Sequence, residues 1–267
     1  MERFKKVLEN IPSFGAIRDG VAVEVQPAMR TGQDLRILYT QTRTVQVSTE
    51  VLHRNRIISG LDDPAVSGAY KLLRTQVLQR MRSNGWNTLA VTSAASGEGK
   101  TLTAVNLAIS LAKEVNHTVL LVDLDLRRPS VARYFEYKPT YGLRDHLLDD
   151  VGLNEILFTP QIHRLSILPG GKPLNDSSEL LTAPKMVRLA QELKSRYDGR
   201  IVIFDMPPLL LADDVLAFAP CVDAALFVVQ EGKTQKADLQ NAMATLRHIP
   251  LVGTVLNRAE VVRAAYY

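Results

Sequence analysis

The chain has 267 residues, of which 46% are hydrophobic and 22% charged, with a formal net charge of +4. That is the composition of a globular protein long enough to bury a core, and it excludes a disordered or fibrous chain. A single cysteine, Cys221, excludes an internal disulfide and a thiolate-bound metal cluster.

Other absences narrow the class further. The sequence has no apolar run long enough to cross a bilayer. The opening stretch MERFKKVLEN lacks the apolar segment of a secretory signal. A cytoplasmic location is therefore expected. The five histidines are scattered without ligand spacing. Residues 1–60 carry nine Lys/Arg against six Asp/Glu, but there is no basic block with interleaved aromatics, so no nucleic-acid partner is expected.

In chain order, residues 1–60 show turn formers and short alternations without a sustained period, which predicts an extended or partly disordered arm. The segment from Asp63 to Arg82 is predicted helical, with Leu72, Leu73, Val77, Leu78 and Met81 at helical spacing and Pro64 suited to its start. From Trp86 onward, short β-branched runs alternate with amphipathic stretches. Strands are predicted at 88–92, 118–122, 165–168, 201–204, 224–229 and 251–256. Helices are predicted from Thr101, over 184–197 and over 234–247. Strands apolar throughout and joined by helices predict an α/β fold: a mostly parallel sheet flanked by helices on both faces. The expected domain spans 61–258, followed by a short tail, 259–267. In such sheets ligands bind beyond the carboxyl ends of the strands, and the motifs fall there.

The first motif is Ala94-Ala95-Ser96-Gly97-Glu98-Gly99-Lys100-Thr101, between a predicted strand and a predicted helix. Gly97 and Gly99 let the backbone curl so that successive N–H groups face phosphate oxygens, and the helix N-terminus adds its positive end. The expected ATP-binding stretch is Ser96, Gly97, Glu98, Gly99, Lys100, Thr101 and Leu102. Lys100 neutralises the β and γ phosphates, and Thr101 offers a hydroxyl to Mg²⁺.

Two strands then run into carboxylates, Asp123-Leu124-Asp125-Leu126-Arg127-Arg128-Pro129 and Asp205-Met206-Pro207-Pro208. A carboxylate at the end of a buried strand needs a partner, and a hydrated Mg²⁺ on a nucleotide is one. Thr101, Asp123 and Asp205 are the candidate metal ligands. Either Asp123 or Asp125 is a candidate proton acceptor. Helix capping or ion pairs to Arg127 and Arg128 are the structural alternative for these aspartates. Asp213-Asp214 reads as a helix N-cap. Asn257, after the last strand, either reads an adenine edge or forms a turn.

The sequence S-A-A-S-G-E-G-K-T, then V-L-L-V-D-L-D-L-R-R-P, then I-V-I-F-D-M-P-P resembles the bacterial tyrosine autokinases of capsule and exopolysaccharide synthesis, from about Leu61 to Arg258. The resemblance implies a P-loop NTPase fold like that of the partitioning ATPases. It implies ATP and Mg²⁺ as cofactors and phosphorylation of tyrosines in the C-terminal tail, mostly between subunits. It also implies a homo-oligomer and a transmembrane chain-length regulator, here a separate chain, that would hold the protein at the inner face of the membrane. Lys100, Asp123, Asp125, Asp205 and Arg127 are then the catalytic group, and Tyr266 and Tyr267 the phosphoacceptors.

Three features depart from the family pattern. Gly68, Lys71 and Arg74 stand where a Glu-x-x-Arg-x-x-Arg ring motif is usual. The tail holds two tyrosines rather than a cluster, and Ala94 replaces the first glycine of the loop. Two other functions remain in play. A partitioning-type positioning ATPase would carry a second lysine where this chain has Ala95. A nucleotide-switched scaffold would bind ATP without modifying tyrosine.

Overall fold

The structure is a computed structural model and describes residues 42–61, 63–197 and 199–259. In chain order it holds β1 (Arg43–Thr44), α1 (Thr49–Arg54), α2 (Pro64–Asn84), β2 (Thr88–Ser93), α3 (Lys100–Ala112), β3 (Thr118–Asp123), α4 (Leu143–Asp149), α5 (Leu153–Ile156), β4 (Phe158–Thr159), β5 (Leu165–Leu168), α6 (Ser177–Thr182), α7 (Pro184–Ser195), β6 (Arg200–Asp205), α8 (Asp214–Phe218), β7 (Ala224–Gln230), α9 (Lys236–Thr245) and β8 (Leu251–Asn257). The strands form one sheet in the order β1-β4-β5-β3-β6-β2-β7-β8. Its pairings are parallel except that between β4 and β5.

The period of two along each strand divides the core between the sheet's faces. Val119, Leu121, Ile201, Ile203, Leu226 and Val228 join one apolar cluster with α3. The alternate residues Leu120, Val122, Val202, Phe204 and Phe227 are as deeply buried on the other face. There Phe204 meets Phe218 of α8 edge to face, centroids 5.0 Å apart. Helix α3 is buried along almost its whole length, because the sheet covers one side and α2 the other. That explains why its sequence is apolar all round rather than striped. Helix α2 starts at Asp63, whose carboxylate accepts from the N–H groups of Ala65 and Val66, and stops at Gly85 in the left-handed region, φ 67°.

Residues 42–60 depart from the expected extended arm. Strand β1 pairs with β4 at the sheet edge, and Ile57 and Ile58 are buried in the main core. Asn106 of α3 pins this segment, accepting from the Ile58 N–H at 3.0 Å and donating to the Arg56 carbonyl at 3.0 Å. The sequence there is short and aperiodic because only two strand residues and one helical turn and a half are regular. The rest of the expected arm, and the tail bearing Tyr266 and Tyr267, lie outside the described residues. Among the described residues no helix is long and apolar enough to cross a membrane.

Candidate active site

The phosphate loop connects β2 to α3. Gly97 and Gly99 hold φ of 78° and 93°, a region open to glycine at no steric cost. These two residues turn the chain so that the N–H groups of residues 96–102 donate to no protein acceptor among the described residues. A run of unclaimed amides at a helix N-terminus is a cradle for a polyphosphate.

The loop is braced from the β7–β8 side. The buried carboxylate of Glu98 accepts from its own loop at Ala95 N (2.9 Å) and from the Thr234 hydroxyl. Asn257 Nδ2 donates to the Glu98 carbonyl at 2.8 Å, and Lys233 Nζ to the Ser96 carbonyl at 2.9 Å. Glu98 thus serves the expected nucleotide stretch through its backbone, while its side chain shapes the loop. The structure shows Asn257 bracing the loop and the turn that follows β8. Its Nδ2 donates to the Glu98 carbonyl and its carbonyl oxygen accepts from Arg258 N at 2.9 Å; the second N–H and lone pair of the amide are left for a ligand such as an adenine edge. Lys233 and Thr234 were not legible as site residues. They lie just past β7, and only the parallel pairing of β7 with β2 brings them to the loop.

The carboxylates come together as the strand ends require. Asp123 and Asp205 are register partners on β3 and β6. Thr101 Oγ1 donates to Asp205 Oδ2 at 2.7 Å. Lys100 Nζ lies 2.9 Å from Asp125 Oδ2 and 3.7 Å from Asp205 Oδ1. Asp123 Oδ2 accepts from the N–H groups of Ser130 (2.8 Å) and Val131 (2.9 Å). Burial pushes the Asp123 carboxyl up, and the charge of Asp205 adds to that; the two N–H groups and Lys100 oppose it, leaving a pKa of about 7. Burial likewise raises Asp205, against the pull of Lys100 and Thr101. Burial alone would depress Lys100, but Asp205 and Asp125 outweigh it and hold the ammonium above its ordinary value.

The same geometry tests the fit of a divalent cation. Asp123 Oδ1 is buried without a hydrogen-bond partner, and Asp205 Oδ1, also without one, has the Lys100 ammonium at 3.7 Å, an arrangement that costs free energy unless a further positive group faces the pair. Among the described residues no cluster of three or more His, Cys, Asp or Glu side chains could hold an ion. Two hard oxygens and a threonine hydroxyl suit Mg²⁺, which keeps waters and substrate phosphates in its shell.

Arg127, expected with the catalytic group, is committed elsewhere. Its Nε lies 3.0 Å from Ser177 Oγ and 3.3 Å from Asp214 Oδ2, and Nη2 lies 3.6 Å from Asp213 Oδ1. Asp214, expected as part of an N-cap, is fully buried and also accepts from the Ser177 hydroxyl. Asp213 occupies the cap position of α8 but makes no side-chain cap bond. The physical reason is competition: a guanidinium beside a buried carboxylate satisfies both better than an exposed cap satisfies one. This network fastens the loop after β3 to α6 and α8.

A phosphate cradle closed by β3 and β6 carboxylates on a parallel sheet defines a P-loop nucleotide-binding protein, and the AAA domain family matches residues 86–250. The tyrosine-protein kinase YwqD of Bacillus subtilis is 32% identical over 204 residues, covering 75% of this chain and 84% of YwqD. The chain therefore belongs to the family of bacterial tyrosine-protein kinases. The succinoglycan biosynthesis transport protein ExoP of Rhizobium meliloti is 30% identical over 188 residues, covering 68% of this chain but 24% of ExoP. Among solved structures, the kinase domain of the Escherichia coli tyrosine kinase ETK superposes with a TM-score of 0.68 at 26% identity, covering 84% of this chain and 94% of that one. The septum site-determining protein MinD of Pyrococcus horikoshii, complexed with Mg-ADP, matches at TM-score 0.53 and 22% identity, a likeness of fold alone.

Proposed function

We propose that the protein is a tyrosine autokinase that transfers the γ-phosphate of ATP to tyrosines of its own C-terminal tail and thereby regulates exopolysaccharide or capsule assembly. The observation that carries the reading is Lys100, held between Asp125 and Asp205 directly beneath a run of unclaimed loop amides.

ATP binding gives those amides their acceptors. Lys100 turns from Asp125 to the β and γ phosphates, where its charge is worth most. Thr101, Asp123 and Asp205 would hold Mg²⁺, which would neutralise charge on the phosphoryl oxygens. Release of Lys100 leaves Asp125 without its cation, next to the transferring group. A tyrosine hydroxyl, from Tyr266 or Tyr267 of a neighbouring copy, attacks phosphorus in line and gives its proton to Asp125. The bond to the ADP oxygen breaks as the new one forms, and Lys100 stabilises the charge left on ADP. Arg127 keeps the Asp123–Asp125 loop in place through Ser177 and Asp214.

A separate membrane-spanning chain-length regulator is the proposed partner, and a homo-oligomer at the inner membrane face the working assembly. The greater length of ExoP, a biosynthesis transport protein, supports a link between such a domain and further membrane machinery. The deciding experiment incubates purified protein with Mg-ATP and maps phosphosites by mass spectrometry, with Lys100→Ala as control. Phosphate on Tyr266 or Tyr267, absent from the control, is the expected result. ATP binding without tyrosine modification, with and without the partner's cytoplasmic segment, would reject the kinase in favour of a nucleotide-switched scaffold.

A further inference from the structure

Beyond the carboxylates lies a cleft that the reaction as described does not use. The strand order puts β7 and β8 on one side of the phosphate loop and β6, β3 and β5 on the other. The carboxylates sit on the second side, at the ends of β3 and β6, next to the loops that follow β3 and β5. The loops that follow those two strands enclose a cleft of about 170 Å³ there, with Asp123 and Ser130 at its inner end. That is near the roughly 150 Å³ that accommodates a benzene ring. Pro129, Pro169 and the ring of Tyr137 form its apolar walls. Tyr137 is itself braced against Phe158, centroids 4.6 Å apart, and Gly170 packs so closely on Pro129 that a Cβ there would come within 3.0 Å.

The rim is cationic. Arg133 and Lys138 come from the loop after β3 and Lys172 from the loop after β5, and all three are exposed. Asp123 is the one carboxylate in the lining. The neighbouring Glu136 is engaged by Arg54, and Asp145, behind Gly171, accepts from Gly142 N at 2.7 Å and pairs with Arg144. Three exposed cations against the single lining carboxylate Asp123, around a slot of aromatic size, describe a receptor for an aromatic group with negative charge beside it.

We propose that this cleft is the acceptor-peptide subsite and that Arg133, Lys138 and Lys172 select a tyrosine already flanked by a phosphotyrosine. The proposal rests on the kinase reading. The two tail tyrosines are adjacent in sequence, so the first phosphate, at roughly −1.5 to −2 charge, would stand next to the second hydroxyl. The cations hold that phosphate and leave the unmodified ring to enter the slot. Phosphorylation of the pair then becomes sequential, with the second event favoured by the first.

The test uses the full chain with Mg²⁺ and a non-hydrolysable ATP analogue. Fluorescent peptides reproducing residues 263–267, unmodified or phosphorylated on the last tyrosine, are titrated by anisotropy. The expected result is about ten-fold tighter binding of the phosphopeptide. That preference should vanish in the Arg133→Ala, Lys138→Ala, Lys172→Ala variant while affinity for the ATP analogue stays the same. Equal affinity for the two peptides, or a preference that survives the triple substitution, overturns the proposal. The kinase reading is judged separately by phosphosite mapping. Preference without tyrosine transfer supports the cleft and counts against the kinase; transfer without preference sinks the cleft alone.

Discussion

Each residue of the site answers to a local physical demand, and three substitutions expose those demands. Gly99 combines φ of 93° with a position where a Cβ would lie 1.9 Å from Asn257 Nδ2. Gly99→Ala is expected to cost about 1–2 kcal/mol in backbone strain alone and to weaken nucleotide binding, measured by calorimetry. Adding Asn257→Ala should relieve the clash but not the strain, so affinity should return only in part. Asp125→Asn removes the proposed proton acceptor but not the phosphate contacts. It should lower kcat roughly 10²- to 10⁴-fold and leave ATP affinity within a few-fold; an equal loss in both would assign Asp125 to binding. Asp123, together with Asp205, which burial also raises, contributes to pH behaviour in metal-free protein. The folded pKa of Asp123, about 7, lies above its ordinary 3.8, so the folded state holds the proton more tightly than the unfolded. Stability from this group is complete below about 3.8 and is lost as pH rises toward 7. Urea melts in EDTA at pH 5 and pH 8 should show that fall, and Asp123→Asn should reduce it, Asp205 supplying the remainder.

At the scale of elements, the loop after β3 is held by two different anchors. One is the pair of N–H groups from Ser130 and Val131 on Asp123; the other is the Arg127–Asp214–Ser177 network. Asp214→Ala removes a fully buried partner and leaves the half-exposed Arg127 without it. The expected cost is about 1–3 kcal/mol, less than for a wholly buried pair because water reaches Arg127. Tyrosine transfer should fall more than ATP affinity, since the loop carries Asp123 and Asp125 but no loop amide of the phosphate cradle. Equal melting temperatures for variant and parent would show that the network is not an anchor. Helix α3 is different: it ties the phosphate loop to the core through side chains such as Leu107 and Leu111, both fully buried. Truncating either to alanine should cost about 2–5 kcal/mol without altering the loop's chemistry.

For the molecule as a whole, binding and folding are linked through the site. Ligand that binds only the native state stabilises it by about 2.7 kcal/mol at a hundred times Kd. Mg-ATP should therefore raise the melting temperature of the parent protein and leave Lys100→Ala nearly unmoved. A similar rise in both would place the nucleotide elsewhere. The same experiment with magnesium omitted should give a smaller rise, because the buried oxygens of Asp123 and Asp205 would then face phosphate with Lys100 as the one cation between them.

The sequence by itself determined the sheet strands that carry the site, their order along the chain, the phosphate loop and the aspartates at the strand ends. Those features are local: a continuous apolar run, two glycines before Lys-Thr, a carboxylate where a buried strand emerges. Only the tertiary structure decided which of those groups touch. Lys100 to Asp125 and Thr101 to Asp205 join the first residues of α3 to the carboxyl ends of β3 and β6, and their distances depend on the register of β3, β6 and β2. Arg127 went to Asp214, and Asn257 to Glu98, because buried polar groups take the partner that packing supplies. The two-residue strands β1 and β4 were invisible in the sequence for a related reason: so short a run has no period, and neighbours across the sheet edge, not propensity, make it a strand.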